Sequence, residues 1–91
     1  MTFTRNLGRS GIAVSDLGMG CWAIGGPFFE KGTPLGWGEV DDNESIRAVH
    51  RALELGVNFF DTANVYGAGH SEKVLARAFA DRRKEVVIAT K

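Results

Sequence analysis

The sequence predicts an α/β fold whose strands run parallel in one sheet, and three observations carry that prediction. From residue 16 onward, amphipathic helical periods alternate with short apolar runs; the runs Phe59-Phe60 and Val86-Val87-Ile88 are continuous rather than alternating; and glycine-containing loops lie between them. Strands joined by helices run parallel, and continuous apolar runs suit strands covered on both faces.

Each element has its own signal. Residues 3–7 and 12–15 read as two short strands around Gly8-Arg9-Ser10-Gly11, a β-hairpin whose turn needs the positive φ that glycine permits. Leu17-Gly18-Met19-Gly20-Cys21-Trp22 reads as a short buried strand with glycines that allow close approach. Residues 25–38 carry five glycines and both prolines among Phe28, Phe29 and Trp37, which predicts a long functional loop. Asp41 and Asp42 open a helix; Ile46, Val49 and Leu53 form its stripe, widened by Ala48, Ala52 and Leu55, and Gly56 stops it. A β-prone run covers residues 57–62 and a loop covers residues 63–70. Ser71 is expected to cap a second helix that buries Val74, Leu75, Ala78 and Phe79, and residues 86–91 return to β. That apolar β run closes the sequence, whereas domain termini tend to lie exposed, so the chain is expected to be the first part of a longer one.

Composition excludes several roles. Eleven Lys plus Arg balance eleven Asp plus Glu, which leaves no basic face to hold a nucleic-acid backbone. One cysteine makes no intrachain disulfide, and with two distant histidines it makes no zinc site, so no metal is expected. No stretch approaches the roughly 20 apolar residues of a membrane span. Arg5 and Arg9 have no apolar run behind them to make a secretory leader, so a cytoplasmic address is expected.

The chemistry concentrates at one edge. In parallel β/α sheets the loops at the carboxyl ends of the strands carry function. Asp61 ends one strand, Lys91 ends the next, and Tyr66 lies in the loop between, so with strands about 4.8 Å apart all three can meet at one rim. An ammonium beside a phenol stabilises the phenolate, and a carboxylate holds the ammonium, which together suits protonation of a developing alkoxide. Taken singly, Asp61 reads as a strand terminator, Tyr66 as a loop aromatic and Lys91 as a solvated lysine; the shared rim is the stronger observation. Gly18-Met19-Gly20-Cys21-Trp22-Ala23 fits the G-x-G-x-x-A dinucleotide pattern, but Gly25-Gly26-Pro27 follows where that pattern needs a helix. Residues 67–69 read as a turn, His50 as a helix packing residue, His70 as a loop residue, and Cys21 as a small buried one.

Phe60-Asp61-Thr62-Ala63-Asn64-Val65-Tyr66-Gly67 followed by Gly69-His70-Ser71-Glu72, and Val87-Ile88-Ala89-Thr90-Lys91, resemble the signature segments of the aldo-keto reductases in order and spacing, as does residues 7–22. The resemblance covers essentially residues 1–91. It implies an N-terminal β-hairpin and the first three βα strands of an incomplete (β/α)8 TIM barrel, of which a whole copy takes about 250 residues. It also implies an oxidoreductase that reduces aldehydes or ketones with NADP as cofactor. Tyr66 would be the proton donor, Lys91 the cation that makes it a better acid, and Asp61 the partner of Lys91 and a neighbour of the cofactor ribose. Gly20, Cys21 and Trp22 would line the nicotinamide side. The family's histidine after a fourth strand has no counterpart in these residues, and because three strands of an incomplete barrel cannot place a hydride donor against a substrate, the chain alone is expected to be inactive. A channel-associated regulatory subunit that binds the cofactor with little turnover is the alternative the resemblance leaves open.

Overall fold

Turn chemistry sets the first elements of the chain, which the computed structural model describes over residues 4–91. Phe3, where the first strand is expected to start, lies outside the described residues. Strands β1 (Thr4–Asn6) and β2 (Ala13–Ser15) pair antiparallel as the sequence predicts. Gly8 and Gly11 take positive φ values of 57° and 77° in the turn. Ser10 fastens it, its Oγ donating to the Leu7 carbonyl at 2.6 Å and accepting the Ile12 N–H at 3.0 Å.

The buried strand expected from Leu17 to Trp22 shrinks to β3 (Gly18–Gly20), with Leu17 exposed, because the sheet pairs it on one side only among the described residues. Residues 25–38 depart further from expectation. A 3₁₀ turn over Ala23–Gly25 is followed by a second hairpin, β4 (Phe28–Glu30) and β5 (Thr33–Leu35), closed by Lys31 and Gly32 at φ 51° and 81°. Two successive positive φ values are the geometry that lets a two-residue loop follow the twist of its strands.

Helix α1 (Asp42–Glu54) starts where the acidic pair predicts, the Asp41 side chain accepting from the N–H groups of Asn43 and Glu44 at 2.9 and 3.4 Å. It ends with Leu55 and with Gly56 at φ 99°. Val49 is fully buried and Ile46, Ala52 and Leu53 pack against the core, but Ala48 and Leu55 face away from it. Strand β6 (Phe59–Asp61) follows. Helix α2 (His70–Ala78) buries Val74, Leu75 and Ala78, with Phe79 just beyond its end. The expected cap is corrected: Ser71 lies inside the helix, Gly69 precedes it at φ 98° with no side-chain cap, and the Ser71 hydroxyl bonds elsewhere. Strand β7 (Val87–Ala89) completes the order.

β3, β6 and β7 form one parallel sheet, with β6 central. Register places Gly20, Asp61 and Ala89 in one row, with Met19, Phe60 and Ile88 in the row before. Side chains alternate faces along a strand, so Phe60 points at the helices while Asp61 and Ala89, and Lys91 two residues further, point the other way. Phe60 meets Phe79 at a centroid distance of 4.9 Å, at the centre of a core made with Val49, Val74, Leu75 and Val86. Removing either ring would cost on the order of 3–5 kcal/mol. The first hairpin is tied to the opposite end of this sheet by Asn58, whose side chain accepts the Ser15 N–H at 2.6 Å and donates to the Ala13 carbonyl at 3.2 Å. Among the described residues no helix is long and apolar enough to cross a membrane.

Candidate active site

The alternation that buries Phe60 sends Asp61 and Lys91 to the other face of the sheet, at its carboxyl rim. Lys91 Nζ lies 3.3 and 3.5 Å from the two Asp61 carboxylate oxygens and 3.3 Å from the Tyr66 hydroxyl, to which it donates. The same ammonium stands 5.4 Å from the centroid of the Tyr66 ring. These hydrogen bonds, that to Tyr66 first and that to Asp61 second, hold the Lys91 ammonium above its ordinary lysine range. The Asp61 and Lys91 side chains are 49% and 63% exposed. Solvent screens a pair that open, so its contribution to stability is small and its value lies in where it holds charge.

Tyr66 is positioned by its loop. The backbone turns through left-handed geometry at Gly67, Ala68 and Gly69 before entering α2. Gly67 lies so close to Gly25 that an added Cβ would overlap the Gly25 carbonyl oxygen. The ring then stacks on Trp22 at 6.1 Å and 25°, and Trp37 meets Trp22 edge-on at 6.3 Å. An open cleft runs from Gly20 past Trp22 and Trp37 to Asp61 and Tyr66. A second, wider one lies between the β4–β5 hairpin and the Tyr66 loop, lined by Trp22, Phe28, Phe29, Leu35, Val65 and Tyr66.

Cys21 lies at the floor of the first cleft without exposed surface. Burial, with the Asp61 charge second, pushes its thiol up to about 11. That makes it an inert packing residue at neutral pH. The histidines lie apart from the rim cluster. His50 Nε2 stands 2.6 Å from the Ala78 carbonyl and joins the two helices, while His70 Nε2 sits 2.8 Å from both carboxylate oxygens of Asp42.

Two features of the rim were not legible in the sequence. Trp37 is one of the aromatics expected in a functional loop, but its place beside Trp22 comes from a hairpin the sequence did not announce. Thr62 and Ser71 form a buried hydroxyl pair, which no spacing announces.

The parallel βα sheet thus brings a phenol, an ammonium and a carboxylate together at its carboxyl rim. Residues 16–91 match the profile of the aldo/keto reductase family, and the chain belongs to that family. It is 36% identical over 88 residues to an aldo-keto reductase of Bacillus subtilis, an alignment covering 94% of this chain and 24% of that protein. It is 37% identical over 90 residues to a probable voltage-gated potassium channel subunit beta of Oryza sativa, covering 96% and 24%. Among solved structures, the holo form of an aldo-keto reductase of Bacillus halodurans superposes with a TM-score of 0.79 at 31% identity, over 99% of this chain and 26% of that one. The chain therefore spans about a quarter of the length of the curated relatives it matches.

Proposed function

We propose that these residues supply the proton-donating part of a carbonyl reductase site, on the first three strands of a (β/α)8 barrel, using NADP. The observation that carries the reading is the contact of Lys91 Nζ with both the Tyr66 hydroxyl and the Asp61 carboxylate. The rim fits a nicotinamide nucleotide: Gly20 has nothing within 4 Å of where a Cβ would stand, leaving room beside Trp22, and the Asp61 carboxylate can accept ribose hydroxyls. Gly20, Cys21, Trp22 and Asp61 would hold the cofactor, Cys21 through its place in the floor. When bound, that cofactor supplies the hydride that reduces the carbonyl carbon.

The chain's own residues manage the proton. Tyr66 donates its hydroxyl proton to the carbonyl oxygen as negative charge develops there. Lys91 then faces a phenolate rather than a phenol, and its ammonium stabilises that charge at hydrogen-bond distance. Asp61 keeps the ammonium charged and aimed. Phe28, Phe29, Leu35 and Val65 give the wider cleft an apolar wall on one side of the Tyr66 ring. At natural length, Tyr66→Phe should abolish reduction of an aldehyde panel while leaving cofactor binding by fluorescence titration intact, and retained turnover refutes the assignment.

The likeness to a channel beta subunit favours a second reading, in which cofactor binding serves regulation. Tight cofactor binding with negligible turnover across the same panel by the unmutated protein would select it.

A further inference from the structure

We infer that Ser71 is a positioning residue for the Tyr66 site, an inference that rests on the reading of Tyr66 as proton donor. Trp22 leaves the sheet from β3 and Tyr66 leaves it from β6, yet their rings stack, so the two strand exits must be held in fixed relation. The ladder accounts for half of this: the Cys21 N–H donates to the Asp61 carbonyl at 2.9 Å. Beyond Cys21 the chain turns into the 3₁₀ segment, and the Cys21 carbonyl is taken by the Ser71 hydroxyl at 2.7 Å. Ser71 Oγ also lies 2.7 Å from Thr62 Oγ1. A hydroxyl has one proton, and that of Ser71 is committed to the carbonyl, so Thr62 is the donor in the second bond.

The relay is buried, with Cys21 and Ser71 at 0% exposure and Thr62 at 1%, so loss of a member leaves buried polar groups without their partners. Thr62 is fixed in turn, its N–H donating to the Ala89 carbonyl at 2.8 Å. Thr62 and Ser71 are the two ends of the loop that carries Tyr66. One chain of bonds thus joins the exits of β3 and β6, the first turn of α2, and both feet of that loop. Ser71 touches neither Tyr66 nor any reacting atom; it acts through the Cys21 backbone on Trp22 and through the loop on the phenol. A misplacement of the order of 1 Å at a reacting group costs about a hundredfold in rate, so small slack here is expressed in turnover.

The test uses the protein at its natural length and compares Ser71→Ala, Thr62→Val, Thr62→Ser and Tyr66→Phe, with Trp22→Phe to identify the near-ultraviolet circular dichroism of the stacked pair. Ser71→Ala should lower kcat by about 10- to 100-fold well below its Tm and should weaken the signal that Trp22→Phe removes. Thr62→Ser, which keeps the hydroxyl, should stay close to the parent in kcat while Thr62→Val falls. A folded Ser71→Ala protein with parental kcat and parental dichroism overturns the inference. If Ser71→Ala does not fold, parental kcat and dichroism in Thr62→Val overturn it instead. Full turnover in Tyr66→Phe would sink the proton-donor reading separately, and the dichroism would still judge whether Ser71 holds the stack.

Discussion

Gly67 occupies a position that no side chain can share. Its φ of 62° is strained for an L residue, and a Cβ there would overlap the Gly25 carbonyl oxygen. Gly67→Ala must therefore push the Tyr66 loop off the Ala23–Gly25 turn. We expect Tm to fall, by an amount equivalent to about 1 kcal/mol or more, and turnover to fall with it. A Gly67→Ala protein with parental Tm and kcat would show that the loop seats otherwise. Cys21 gives a prediction in pH. Its thiol is raised from 9.0 to about 11 in the folded state, so between those values the unfolded chain has lost a proton that the folded chain keeps. Stability from this group is full below pH 9 and is lost as pH rises towards 11, to a total of about 2–3 kcal/mol. The Lys91 ammonium, also raised, loses its contacts in the same alkaline direction. Urea unfolding between pH 8 and 11 should slope less steeply for Cys21→Ala than for the parent; equal slopes would mean that the thiol reaches water. Asp61, Tyr66 and Lys91 could be placed together from sequence because strand ends and the loop between them fix a rim without knowledge of rotamers. Ser71 could not, since a serine before a helical stripe reads as a cap, and only the fold shows its hydroxyl turned back to the Cys21 carbonyl.

At the scale of elements, both helices were legible from their apolar stripes, and in α1 the punctuation agrees as well: Asp41 caps it and Gly56 stops it. The β4–β5 hairpin was not. Its strands hold three residues each, Pro34 stands opposite Phe29, and the turn is Lys31-Gly32 rather than the Asn-Gly or Asp-Gly that signals such a loop. Density of glycine and proline read as irregular structure, whereas positive φ at Gly32, Gly36 and Gly38 is what folds the segment back. Lys31 is the weak point, a non-glycine at φ 51°. Asparagine tolerates that region better than lysine, so Lys31→Asn should stabilise the hairpin by about 0.5 kcal/mol. The amides of the β4–β5 ladder should then exchange hydrogen about twofold more slowly, since about 0.5 kcal/mol is a little under one RT. Unchanged or faster exchange would show that the turn is not what limits opening.

For the whole molecule, the parallel sheet explains both the site and a liability. Putting Phe60 against Phe79 requires Asp61 and Lys91 to emerge on the face away from the helices, so the burial that stabilises the fold also delivers the rim cluster. The same sheet leaves β3 and β7 each paired on one side among the described residues. Beside β7 a groove is lined by the buried Leu75 and Phe79, the partly buried Ile88 and the exposed Ala76 and Ala80. Relatives about four times as long have further chain with which to cover such surfaces. Unpaired parallel edges beside apolar grooves are templates for association. A polypeptide of residues 1–91 should therefore sediment as concentration-dependent oligomers and bind a hydrophobic dye, while a relative about four times as long should do neither to the same extent. Two charges test the cause: Ile88→Lys places an ammonium in the groove and Thr90→Lys one at its exposed rim. If the groove drives association, the first should disperse the oligomers and the second should not. Equal dispersal by both would assign the effect to net charge, and a monomer in every case would mean that three strands and two helices already protect their own edges.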